Sequence, residues 1–247
     1  MTESPTKDGR LHVLRAVEDG WDAFTRAPWP FVLFTLLVGA LSLVFQAIGN
    51  VAGATNETIG GTVALTIVAV IGSWIVSLWG VTGMIRGSWI ALDGRKPSFS
   101  DFSRWDGAAA GRLFLRWIAL FIVLLAIVLI CLLVGFGLAQ LNQVLIWIPA
   151  VVALILFIYL TVNQKFLPYV ALLEQRGPFE SVQRGRDAVD PSWWWVVLLL
   201  IVETIILVIG VLLCGVGLLV AAPVVACITT AAYRQLFGSE DQTGLLS

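Results

Sequence analysis

An all-α, polytopic membrane helical bundle of about six transmembrane helices is the fold class this sequence predicts, and three observations predict it. Hydrophobic residues make up 59% of the 247 and charged residues only 13%, whereas soluble domains carry about 25% charged and 45–50% apolar residues. Mean hydropathy is +0.93. The apolar residues gather into runs near 28–49, 61–92, 112–134, 144–172, 192–213 and 218–237, each long enough for a hydrocarbon core of about 30 Å, which takes roughly 20 helical residues. Backbone groups find no partner in lipid, so only helices or closed barrels cross it, and unbroken runs of this length are helices.

The elements follow in order. Residues 1–10 form a polar N-terminal tail expected to be flexible, 11–238 a single six-helix transmembrane domain, and 239–247 a C-terminal tail also expected to be flexible. The first 27 residues are polar and mixed in charge, without the short apolar core of a signal peptide. Spans two and four exceed the membrane. About thirty helical residues rise some 45 Å, so the inner ends near 86–92 and 163–172 are expected to project or tilt. That places the Arg86 and Lys165 heads within reach of water. Pro149, Pro168 and Pro223 fall inside spans and are expected to kink them.

Charge sets the orientation. All fifteen Lys and Arg residues lie in four segments: four in the N-terminal arm, six between spans two and three, four between spans four and five, and one in the tail. The remaining connections, 50–60, 135–143 and 214–217, hold none. Lys and Arg stay on the cytoplasmic side, so both termini are expected there, in a bacterial plasma or thylakoid membrane. Eight of the eleven tryptophans (Trp21, Trp29, Trp89, Trp105, Trp117 and Trp193 to Trp195) fall at that same boundary, where an aromatic belt anchors a membrane protein.

Three segments on the basic side pair an apolar face with a charged one. Leu11, Leu14, Val17, Trp21 and Phe24 recur every three or four residues. Phe99, Phe102 and Trp105 do so before span three, and Phe179, Val182 and Val189 before span five. Each reads as a short amphipathic helix lying in the interface; the rival reading packs these faces on one another as a small cap. Aligning 91–138 with 171–218 at a constant offset of 80 gives twelve identities in 48 positions. Among them are Phe99 with Phe179, Arg104 with Arg184, and Gly135-Phe-Gly137 with Gly215-Val-Gly217. The repeat suggests three helix-plus-hairpin units near 11–92, 97–172 and 177–238, all of one topology. In that plan the Gly-x-Gly pairs are tight turns between hairpin helices.

Reactive groups are few. Glu203, about twelve residues into span five, is the lone acid within a span, and an intramembrane carboxylate suggests function by default. Asn163, Gln164 and Lys165 of span four are its candidate partners in an intramembrane polar site; the bland reading is a hydrogen-bonded acid that joins helices. Arg95, Lys96, Arg112, Arg116, Arg184 and Arg186 are candidate contacts for lipid headgroups. Gln46, Asn50, Asn56, Gln140, Asn142 and Gln143 read as caps and loop residues at the outer ends. Gly72, Gly80, Gly83 and Gly87, with Ser73, allow close helix approach within or between subunits.

Cys131, Cys214 and Cys227 lie in apolar runs without metal or disulfide spacing. His12 is the single histidine. No catalytic residue, cofactor or metal is expected, and a net charge of −1 offers nucleic acid no basic field.

Two stretches look like a family: Leu212-Leu-Cys-Gly215-Val-Gly217 on to Pro223 and Ala232-Tyr233-Arg234 to Gly238, and Pro168-Tyr-Val-Ala-Leu172 with Pro191-Ser-Trp193. They resemble uncharacterised bacterial six-span proteins related to the membrane domain that precedes glycerophosphodiester phosphodiesterases. The resemblance implies a six-helix bundle and, with no phosphodiesterase domain present, no catalytic residues.

Two functions follow as expectations. The first is a non-enzymatic membrane protein that organises or senses the bilayer, other membrane proteins or a second copy of itself. The alternative is a transporter or channel for a small solute, proton or lipid built on Glu203. With Glu57 and Glu203 set aside, fifteen bases face fourteen acids on the basic side. Headgroup recruitment by net charge is therefore expected to be weak beside apolar burial.

Overall fold

The computed structural model describes residues 11–54 and 59–246, and among these it contains helices and turns but no strand. The arm 1–10, with Lys7 and Arg10, and the connection 55–58, with Asn56 and Glu57, lie outside the described residues. The helices are α1 (Val13–Arg26), α2 (Pro28–Ala54), α3 (Ile59–Leu92), α4 (Phe99–Ser103), α5 (Gly107–Ala139), α6 (Trp147–Asn163), α7 (Leu167–Leu173), α8 (Pro178–Val189), α9 (Trp193–Leu212) and α10 (Leu218–Phe237). Six stretches are long and apolar enough to cross a membrane: Pro28–Val51, Gly60–Leu92, Gly107–Ala139, Gln143–Asn163, Pro178–Leu212 and Leu218–Phe237. The chain is thus an all-α bundle with six candidate spans.

Local chemistry explains where the helices stop. Pro28 opens α2, where its missing N–H costs no bond. Gly94, at φ +80°, closes α3: its N–H reaches the Ala91 carbonyl at 3.0 Å and the Arg95 N–H reaches Ile90 at 3.2 Å. This i−3 and i−5 pair is a Schellman cap, which needs the left-handed conformation glycine adopts freely. Ser98 and Asp101 then form a capping box, with the Asp101 carboxylate 2.7 Å from the Ser98 N–H. Asp106 caps α5 through the Ala109 N–H at 2.9 Å.

Three expectations are corrected here. Gly135 and Gly137 do not form a turn; α5 runs through both to Ala139. A helical glycine costs about 1 kcal/mol against alanine, less than freeing backbone groups in lipid, so the helix persists until polar Gln140 and Asn142. The hairpin turns there, with Asn142 Oδ1 accepting from the Val144 N–H at 2.9 Å. Gly215, at φ +77° after Cys214 at φ 57°, does sit in a turn. Span four is broken, not merely kinked: α6 ends at Asn163 and α7 restarts at Leu167, with Pro168 in its first turn. Proline supplies no donor and its ring clashes with the carbonyl four residues back, here that of Gln164, which separates the two helices. Pro149 lies in the first turn of α6, so only Pro223 is interior to a helix among these three.

Packing divides the chain into two compact units that do not follow the sequential repeat. Among the described residues, one comprises 14–110, 201–232 and 245–246; the other comprises 111–200 and 233–244, with 11–13. In the first unit the small residues of α3 seat the aromatic side chains of its neighbours. A Cβ at Gly72 would overlap Phe45, one at Gly80 would crowd Val38, and one at Gly83 or Gly87 would overlap Phe34 and Phe102. The expected close approach is therefore within the chain. Phe31, Phe34 and Phe102 are fully buried there, with Phe102 4.8 Å from Phe31 and 5.4 Å from Phe34 between ring centroids.

Helix α1 turns a different face inward than its large residues suggest. Ala16, Gly20, Ala23 and Ala27 are buried with Phe24, while Leu14 is 80% exposed and Trp21 51%. A Cβ at Gly20 would stand 2.6 Å from the Ile228 backbone nitrogen of α10. Small residues win the inner face because they let two backbones touch, and dispersion falls steeply with separation.

In the second unit Phe166, Tyr169, Tyr233 and Phe237 form an aromatic cluster, with Tyr233 stacked 5.1 Å from Tyr169 and 4.7 Å from Phe237.

Candidate functional site

Glu203 lies on α9 and is 2% exposed. Its carboxyl is 2.7 Å from the Thr229 hydroxyl of α10, and that hydroxyl also lies 2.9 Å from the Val225 carbonyl. A hydroxyl has one proton to give. Thr229 gives it to one of these two acceptors at a time, the Glu203 carboxyl or the carbonyl four residues back. The arrangement is a polar clasp between two helices of one unit. These helices come close enough for it because Gly210 and Gly217 leave room; a Cβ at Gly210 would stand 2.9 Å from that of Ala221.

The polar step of span four has other partners. Asn163 donates from Nδ2 to Asp190 at 2.9 Å, and Asp190 also accepts from the Tyr159 hydroxyl at 2.8 Å. Gln164 donates from Nε2 to the Val182 carbonyl at 2.9 Å. Both amides occupy the α6–α7 break, and both are buried. Their carbonyl oxygens, Asn163 Oδ1 and Gln164 Oε1, accept no hydrogen bond. Gly185 of α8 fits over them, since a Cβ there would stand 3.0 Å from the Asn163 backbone oxygen and 3.2 Å from Gln164 Oε1. Lys165 is half-buried.

The arginines hold most of the surprises. Arg86 does not reach for water; it is 3% exposed. Its guanidinium donates to the Arg104 carbonyl at 2.9 Å, Leu245 at 3.2 Å and Asp101 at 3.4 Å. The three-methylene reach that would allow snorkelling is directed instead at carbonyls around α4 and in the tail. Arg26 similarly donates to the Ala91 carbonyl at the end of α3.

Arg116, one of the expected headgroup contacts, is also 3% exposed. Its three nitrogens donate to Ser181 Oγ at 3.0 Å, the Arg112 carbonyl at 3.0 Å and the Arg176 carbonyl. Arg112 reaches the Leu172 carbonyl at 3.5 Å, and Arg184 makes an ion pair with Glu174 at 3.5 Å while lying 5.3 Å over the Phe237 ring. Arg95 and Arg186 stay exposed beside Asp93 and Asp190, and Lys96 is exposed.

Two features escaped sequence reasoning. Glu174, in an unremarkable Leu-Leu-Glu-Gln-Arg stretch, is buried and takes both Arg176 at 2.6 Å and Arg184. The tail is tied down as well. In the second unit the Gln242 N–H donates to the Leu173 carbonyl at 2.9 Å and the Thr243 hydroxyl to Leu172 at 2.6 Å. In the first, Leu245 is buried and its carbonyl accepts from Arg86. No local pattern announces such contacts; an acid-rich, glycine-containing end ordinarily reads as solvated chain.

Trp89, assigned to the aromatic belt, is 3% exposed and packs inside. Trp21, Trp29, Trp105, Trp194 and Trp195 remain exposed. Among the described residues no group of His, Cys, Asp and Glu has the makings of a metal site, and the three cysteines are unpaired.

Fold and side chains together define an integral membrane protein of six apolar helices whose buried arginines, Arg86 and Arg116, are bonded largely to its own backbone. Comparison with protein-family models, with curated proteins and with solved structures finds no match to this chain.

Proposed function

We propose that this chain is a non-enzymatic integral membrane protein that organises the bilayer and neighbouring proteins through the short helices flanking its spans. The observation that carries this reading is the division of labour among side chains. Arg26, Arg86 and Arg116 are committed to backbone carbonyls, which fixes the connecting segments, while Leu14, Trp21, Trp29, Trp105 and Phe179 are left exposed. Rigid segments bearing outward aromatics suit the boundary between lipid tails and headgroups. Following the charge asymmetry, the basic connections and both termini face the cytoplasm of a bacterial plasma or thylakoid membrane. The resemblance to membrane domains that precede phosphodiesterases agrees with this role but carries no activity over.

The test is depth-resolved quenching of single-tryptophan variants retaining Trp21, Trp29 or Trp105 in liposomes. Lipids brominated near the headgroup should quench all three strongly. Quenching by aqueous iodide alone would refute the interfacial placement.

A second reading, a conduit for a small solute or proton, is favoured by one observation: the α6–α7 break carries two buried carboxamide oxygens with no hydrogen bond, and broken helices line transport paths where backbone must be unwound. Solute flux in proteoliposomes that is lost in Glu203→Gln or Asn163→Ala would establish it. Flux no greater than in protein-free liposomes would leave the organising role.

A further inference from the structure

Arginines separated by as much as 72 positions in sequence converge on one short connection in the second unit. Arg112 and Arg116 of α5 approach residues 172–176 from one side, bonding to the Leu172 and Arg176 carbonyls. From within and beyond the connection, Arg176 and Arg184 share the single carboxylate of Glu174, at 2.6 and 3.5 Å. Two guanidinium groups share this one carboxylate and two more bond to the backbone on either side of it, so the connection gathers more positive than negative charge. Of the other acids described in this unit, Asp187 and Glu240 are exposed and the rest make bonds of their own. Asp190 serves Asn163, Tyr159 and Arg186, Glu180 caps α8 at the Gly177 N–H, and Asp241 accepts from Thr243 and Gly244.

The donors are in surplus too. Arg112 Nε makes no hydrogen bond, Arg184 Nε faces Glu174 at 3.5 Å without the geometry of one, and each arginine has five N–H groups to place. Burying like charges together without an anion is costly. The heads are reachable: the Arg176 and Arg184 side chains are 45% and 35% exposed. The connection joins the stretch after one candidate span, Gln143–Asn163, to the start of the next, Pro178–Leu212, which puts it at a membrane boundary.

We propose that this connection binds an anionic phosphate group, with Arg176, Arg184 and Arg112 as donors and Arg116 as a positioning residue that holds the Arg176 backbone. A phosphate brings several acceptor oxygens and up to two charges, which matches forked donors arriving from different helices better than a second carboxylate would. Glu174 already shows the recognition chemistry, bridging two of the arginines as an internal anion. The site is local, so it does not depend on the near-neutral charge of the whole basic side or on the organising role proposed above. The phosphate has two natural sources, an anionic phospholipid headgroup or a free phosphate compound.

The experiment is native mass spectrometry of the full chain released from nanodiscs of phosphatidylcholine with and without phosphatidic acid, with inorganic phosphate as the soluble probe. Wild type should retain one phosphatidic acid molecule in preference to phosphatidylcholine. Arg176→Gln and Arg184→Gln should each weaken retention about tenfold, as the loss of one charged hydrogen bond implies, while Arg95→Gln/Lys96→Gln should not. Glu174→Gln, which frees two guanidinium groups and removes the competing anion, should tighten retention. A merely structural cluster would not improve on losing its carboxylate. Displacement of the lipid by millimolar inorganic phosphate would assign the site to soluble phosphates; resistance to it would assign the site to the headgroup. Equal retention of the two lipids by wild type, together with no stabilisation by inorganic phosphate over chloride at matched ionic strength, would overturn the proposal. So would loss in Arg95→Gln/Lys96→Gln as large as in Arg184→Gln. Thermal unfolding of each variant, with Arg184→Lys as the charge-retaining control, separates lost binding from lost fold.

Discussion

Replacing Arg86 with methionine separates two views of a charged residue near the end of a long span. If the side chain snorkelled to water, its loss would cost only the packing of its stem. The structure instead buries it at 3% exposure with donors on three carbonyls, at 2.9, 3.2 and 3.4 Å. Hydrogen bonds from a charged donor contribute about 1.5–3 kcal/mol each, and the longest of these three is at the weak limit of geometry. Two good bonds and one weak one give a gross loss of about 4–6 kcal/mol. Recovering the desolvation of a buried cation offsets part of that, leaving about 2–4 kcal/mol. At 1.4 kcal/mol per tenfold, the segments it holds should open roughly 30- to 700-fold more often. Hydrogen–deuterium exchange in nanodiscs reads this directly. Arg86→Met should speed exchange in peptides covering 98–106 and the tail through Leu246, while α2 and the outer part of α3 stay unchanged. Arg86→Lys, with one compact donor group in place of a fork, should fall between. Unchanged exchange at both segments in Arg86→Met would refute the clamp.

Glycines supply a second contrast. Gly87→Ala places a methyl into the fully buried Phe102 ring and should destabilise by about 1–3 kcal/mol, whereas Gly39→Ala meets nothing within 4 Å and should be neutral or stabilising by up to about 1 kcal/mol; thermal unfolding of purified variants checks both. For the α9–α10 clasp, Glu203→Leu should cost about 0.6–1.7 kcal/mol, the range of interhelical hydrogen bonds in membranes. Glu203→Gln keeps an acceptor for the Thr229 hydroxyl and should cost less than about half of that. Equal losses in the two variants would contradict the clasp, and a double-mutant cycle with Thr229→Val measures the coupling itself. Gly20→Ala should loosen α1 from α10 because the added methyl meets the Ile228 backbone; unchanged protease resistance of α1 would count against that contact.

Much of the architecture was legible because membrane insertion is decided locally. Hydrophobicity summed along a run does not depend on what the run packs against, so the six spans stand close to where the apolar stretches place them. Glycines on α3 were legible for a related reason, since a helix with residues 72, 80, 83 and 87 reduced to hydrogen on one side is shaped to receive something. Identity of neighbours was not legible. Gly135-Phe-Gly137 and Gly215-Val-Gly217 match in letters, yet one pair continues a helix and the other turns it; the difference lies in how soon polar residues follow. Of the large side chains of α1, Leu14 and Trp21 stay exposed while Phe24 packs inward beside alanine and glycine, which carry little hydropathic signal.

Sequence by itself determined the class of protein, the number of candidate spans and the confinement of lysine and arginine to alternate connections, because each follows from composition within a window of about 20 residues. Tertiary structure alone decided which of those charges are buried and what they hold. Arg116 meets Ser181 across 65 positions and Arg86 meets Leu245 across 159, and Glu174 gathers two arginines although nothing in its neighbourhood marks it. Charge is additive along a chain, but its energetic meaning depends on distance and dielectric, and only folding sets those.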